Sequence, residues 1–127
     1  FEIAEHIQLN EGDYLIANNY FGLKDAYIAR LAKIFGERLI VDNAQAFFAP
    51  VIGGIKAIYS PRKFVGVSDG GIAVGVDALD TLKYDEDDSS KHDSHLIIRK
   101  EFGAEAGFKD YQANESKLDG QPIQRMS

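Results

Sequence analysis

Lys63, Asp42 and Ser60 are the residues whose types and spacing suggest chemistry. Each falls at or just past the carboxyl end of a stretch that reads as a β-strand. Asp42 closes the apolar run Leu39-Ile40-Val41, Ser60 closes the run 55–59, and Lys63 lies in the loop beyond. An open α/β sheet presents its ligand at the carboxyl ends of parallel strands. An acidic group, a hydroxyl and an amine gathered there suit a ligand with a basic ring nitrogen, a phosphate and an aldehyde. Asn19 follows the earlier run Tyr14-Leu15-Ile16-Ala17 and is a further candidate for a polar contact. Plainer roles stand beside these. An Asp after a strand is a common helix N-cap, a Ser in a loop caps turns, and a lone loop Lys beside Arg62 is usually solvated.

The elements that must position these residues follow from periodicity. Asn10-Glu11-Gly12-Asp13 reads as a turn. Residues 24–35 carry Ala26, Ile28, Ala29, Leu31, Ala32 and Phe35 on one helical face, and Gly36 is a stop signal. Strand, helix, strand is the βαβ signature of a parallel sheet. Residues 55–59 are a third strand and 71–76 a fourth, whose short connection predicts an antiparallel pairing. The stretch 77–93 is rich in Asp and reads as a solvated loop. Beyond it, residues 94–127 predict two helices, broken near Gly103 or Gly107 and closed by Gly120-Gln121-Pro122. The expected fold is α/β: a partial three-layer sandwich with a mostly parallel sheet, its last strand antiparallel, and helices C-terminal. The sheet core with the site occupies 1–76.

The chain has 127 residues, which predicts one compact domain and is too few for two. No Cys is present, which excludes disulfides, zinc thiolates and a cysteine nucleophile and fits a reducing, cytoplasmic setting. The net charge of −6 argues against a nucleic-acid surface. No apolar run approaches the roughly 20 residues that span a bilayer. Phe1-Glu2-Ile3 has neither an initiator Met nor a signal-peptide pattern, so a piece of a longer chain is expected.

Three segments together resemble a known family. Asp42-Asn43-Ala44-Gln45, then Ile58-Tyr59-Ser60-Pro61-Arg62-Lys63-Phe64, then Asp69-Gly70-Gly71 are similar to the core of fold-type-I, pyridoxal-phosphate-dependent aminotransferases. The likeness is greatest to the branch that includes sugar-nucleotide aminotransferases of lipopolysaccharide and antibiotic pathways, and it covers roughly residues 13–76. The resemblance implies that Lys63 forms the Schiff base with pyridoxal 5'-phosphate and shuttles the proton. It implies that Asp42 holds the pyridine nitrogen protonated, that Ser60 donates to the phosphate, and that Gln45 sits near the phenolic oxygen. It implies a small-molecule amino donor, a keto substrate and a homodimer. Only Pro61 and Arg62 separate Ser60 from Lys63, the spacing of many amino-acid aminotransferases, whereas the sugar branch places more residues there. The family's phosphate loop and closing small domain have no counterpart in these residues. A different class of reading is a catalytically incomplete, self-associating chain with unpaired sheet edges.

Other motifs weigh less. Ser60-Pro61-Arg62-Lys63 also fits the Ser-x-x-Lys of penicillin-binding proteins, but that needs a helix and a Lys-Thr-Gly that the sequence lacks. An EF-hand counted from Asp85 would need Gly and Glu where Ser90 and Leu96 stand. His92 and His95 lack a third ligand nearby in sequence and read as surface histidines. Asn114-Glu115-Ser116 fits a glycosylation sequon with nothing to indicate secretion.

Overall fold

The computed structural model describes residues 6–76 and 83–126. Phe1-Glu2-Ile3, Asp77 and Asp80 of the acidic stretch, and Ser127 lie outside them. The chain divides into two compact units, one drawn from Phe1–Lys63 and Gly71–Asp77, the other from Phe64–Gly70 and Ala78–Ser127.

The first unit is an α/β sheet. Strands β1 (Leu15–Asn18), β2 (Leu39–Asn43), β3 (Lys56–Tyr59) and β4 (Ile72–Val74) lie side by side in that order. The pairs β1–β2 and β2–β3 are parallel, and β3–β4 is antiparallel. Helix α1 (Asp25–Phe35) joins β1 to β2. It ends where expected, because Gly36 takes φ 53 and its N–H returns to the Ala32 carbonyl. The register Asn18↔Asp42↔Ile58 aligns the carboxyl ends of the three parallel strands in one row.

Alternation within the strands makes the core. Ala17, Leu39, Val41, Ala57 and Tyr59 pack with Tyr27, Ile28, Leu31 and Phe35 of α1 and with Ile55. The intervening strand positions point the other way, and there Ile16 is 61% exposed and Ile58 44% exposed. Gly75, just past β4, has φ +71, and a Cβ there would run into the Ile55 carbonyl. Gly75→Ala is expected to cost about 2 kcal/mol, from left-handed backbone strain plus the collision. A urea midpoint unchanged in this variant would contradict that close approach.

The second unit is built on helices α2 (Ser94–Phe102) and α3 (Phe108–Leu118). The break uses both predicted glycines. Gly103 ends α2 at φ 92, and Gly107 caps α3, where a Cβ would meet the Arg99 side chain and the His95 carbonyl. Asn114 is buried and ties the unit together. Its Nδ2 lies 3.0 Å from the His92 carbonyl, 3.2 Å from Ser94 Oγ and 3.1 Å from His95 Nδ1. His95 also meets the Tyr111 ring edge to face, with centroids 5.6 Å apart. The surface reading of His92 and His95 is therefore corrected: both are buried. The buried Asn114 amide is likewise committed to internal contacts and not presented as a glycan acceptor. No helix among the described residues is long and apolar enough to cross a membrane.

Candidate functional site

The parallel strands end on a cleft of about 70 Å³ lined by Asn18, Asn19, Tyr20, Asp42, Ala44, Gln45 and Lys63. Four of the five residues singled out in the sequence thus share one wall system: Asn19, Asp42, Gln45 and Lys63. Their convergence has a simple cause. Asn18 and Asp42 are register partners, Asn19 and Gln45 follow them in the first turns beyond β1 and β2, and Lys63 ends the short 3-10 turn Pro61–Lys63 after β3. Ser60 is half-buried at the end of β3 and is not part of this lining. The three-residue 3-10 turn after Ser60 also removes the helix that a penicillin-binding-protein motif requires.

Asp42 has one oxygen engaged locally. Its Oδ1 accepts the Ala44 N–H at 2.8 Å, closing the turn after β2 and fixing the carboxylate plane. This is the capping role open to any Asp after a strand, and it leaves Oδ2 outside that bond. Lys63 is exposed, so its ammonium is solvated on the cleft wall.

Asn19 is nearly fully buried, and its hydrogen bonds define which way it points. Nδ2 donates to Asp25 Oδ1 at 2.7 Å and to Asn43 Oδ1 at 3.0 Å, while its backbone N–H donates to the Asp42 carbonyl at 2.9 Å. A carboxylate only accepts, so Nδ2 must face Asp25. The Asn19 carbonyl oxygen is then left buried without a donor among the described residues. A buried acceptor left unpaired costs roughly 1–3 kcal/mol. Asn43, also buried, is the residue that orients Asn19; it lies within the Asp42-to-Gln45 segment, and only its alternation into the α1 side of β2 marks it.

The residue types fit the ring end of pyridoxal phosphate: a carboxylate for the pyridine nitrogen, an amine for the aldehyde, and amides for the oxygen substituents. A small-molecule pocket usually encloses roughly 300–1,000 Å³, so these seven side chains enclose only part of such a ligand. No protein-family model matches the chain, and comparison with curated proteins and with solved structures finds no match.

Proposed function

We propose that the chain carries the lysine-bearing half of a pyridoxal-phosphate-dependent aminotransferase site. The observation that supports this is the meeting of Asp42 and Lys63 in one cleft at the carboxyl ends of parallel strands. When bound, the cofactor supplies an aldehyde that condenses with amines and a ring that draws electron density from the substrate carbon.

The chain's own residues account for the rest. The Asp42 carboxylate, one oxygen of which is held by the Ala44 N–H, would accept the pyridine N–H and keep that proton in place. The Lys63 amine would hold the cofactor's aldehyde carbon and, once freed by the amino substrate, would carry the proton lost by the substrate α-carbon to the cofactor carbon. Gln45 donates to the ring's phenolic oxygen. Asn19 would offer a polar contact to substrate or cofactor from the cleft lining. Ser60 remains the candidate for the phosphate. The substrates in this reading are a small amino donor and a keto acceptor of the keto-sugar-nucleotide class, and the working unit is a homodimer. The exposed Ile16 and Ile58 support a further covering surface on the sheet.

Reduction of the cofactor-treated protein with borohydride should fix label on Lys63 alone, read by peptide mass. Asp42→Ala should lower activity by more than it lowers the unfolding midpoint. Label on another lysine, or none, would remove the assignment. An intact chain that stays colourless near the visible edge of the ultraviolet would favour the non-catalytic, self-associating reading.

A further inference from the structure

We propose that Asp69, Asp87 and His92 form a binding site for one divalent transition-metal cation, with Zn²⁺ as the representative ion. One ligand atom from each lies within 4.8 Å of the others. Two hard carboxylate oxygens and one imidazole nitrogen are a donor set for Zn²⁺ or a neighbouring first-row ion, and not for Mg²⁺ or Ca²⁺, which take oxygen throughout.

The residues come from separate segments, each held by its own contacts. Asp69 precedes Gly70, whose φ of +97 leaves it against the Met126 side chain. Asp87 follows a parallel bridge between Glu86 and Arg125, and its N–H donates to the Arg125 carbonyl at 2.9 Å. Its Oδ1 accepts the Asp88 N–H at 2.8 Å. His92 closes the 3-10 turn Ser89–Lys91, and its carbonyl is held by Asn114. Asp69 is therefore brought by the fold to Asp87 and His92, which share the acidic stretch.

The acidic pair alone would not make a site. The second observation is His92, whose side chain is only 6% exposed. Its Nε2 faces Asp87 Oδ1 at 4.0 Å, too far for a hydrogen bond, and its Nδ1 has no partner among the described residues. A buried imidazole aimed at two carboxylates without bonding either is spaced for an atom between them. Zinc bonds of about 2.0–2.2 Å would draw the three donors in by roughly 1 Å, within the reach of side-chain rotation.

Electrostatics point the same way. Burial holds the Asp69 carboxyl above the usual carboxylate range, and a hydrogen bond with Asp87 and its charge add to this, against the opposing pull of His92 and Ser68. Arg125 Nη2 pairs with Glu86 Oε2 at 2.6 Å. Asp69 lines two cavities of about 150 and 230 Å³, which leaves room for an entry path and for water in the remaining coordination positions.

The chelator-treated chain is titrated with zinc chloride, following binding by calorimetry, the melting midpoint, and the imidazole resonances by NMR. One equivalent should bind, the midpoint should rise by several degrees, and the His92 resonances should shift while those of His95 stay. Asp69→Asn and Asp87→Asn should each weaken zinc at least about tenfold. Asp69→Asn removes one of two like charges, so it should melt no lower than the parent without zinc. Magnesium or calcium at the same concentration should leave the midpoint unchanged. The proposal is overturned by no zinc binding, by binding that survives both variants, by binding that leaves His92 unshifted, or by an equal response to magnesium or calcium.

Discussion

On the proposed aminotransferase reading, replacing Lys63 with Ala is expected to lower transamination at least about 10³-fold, with little change in stability. The size follows from what is removed. General acid–base transfer by a positioned side chain contributes roughly 10²–10⁴-fold, and the same amine also provides covalent attachment. The small effect on folding follows from exposure: Lys63 stands on the cleft wall and outside the core, and such substitutions usually stay within about 0.5 kcal/mol. Added methylamine should restore part of the activity to Lys63→Ala, because a free amine can enter the space and carry the proton. Lys63→Arg should not be active, since a guanidinium does not give up its proton. Single-turnover absorbance measurements test all three. Activity within tenfold of the parent in Lys63→Ala would show that the lysine is an ordinary loop residue.

Leu31→Ala is expected to cost about 3–5 kcal/mol, a large part of the roughly 5–15 kcal/mol that holds a domain together. Leu31 is fully buried at the centre of α1, in the core it shares with Leu39, Val41 and Ala57. Truncation loses the transfer free energy of the removed carbons and leaves a void that a sheet and a helix pinned at Gly36 cannot close. Ile34 supplies the control. It lies on the same helix but is 49% exposed, so Ile34→Ala should cost less than about 0.5 kcal/mol. Urea unfolding of the two variants should show well-separated midpoints with similar slopes. Equal midpoints would mean that α1 packs on the sheet by a different face.

These expectations rest on the parts of the fold that local sequence already encodes. Helix α1 was legible because its apolar positions recur at helical spacing up to Gly36, and β2 because Leu39-Ile40-Val41 is an uninterrupted buried run. The antiparallel β4 followed from the short chain available between Tyr59 and Ile72. Strand ends were less sharp: β4 is three residues, since Gly71 and Gly75 take no part in its ladder. The convergence of Asn19, Asp42, Gln45 and Lys63 was accessible because parallel strands bring their carboxyl ends to one edge. Ser60 stayed off the cleft lining although it lies at the same strand end, because a strand's terminus fixes position along the sheet and not the direction of the next side chain.

The burial of His92 could not be read locally. It sits in a run of Asp and Ser whose composition signals solvent, and what encloses it comes from elsewhere: Asn114, 22 residues on, and Asp69, on the far side of the acidic stretch. The same holds for the orphan carbonyl of Asn19, which exists only because Asp25 and Asn43 both claim the amide's other end.

That amide joins the end of β1, the first turn of α1 and the end of β2 through a single side chain. The cleft floor and the frame of the sheet are therefore one object. Any inherited change at Asn19 that reshaped ligand choice would also loosen the scaffold, so selection cannot adjust the two separately at this position. Asn18 and Tyr20, by contrast, are exposed at the rim and can be changed without touching that joint.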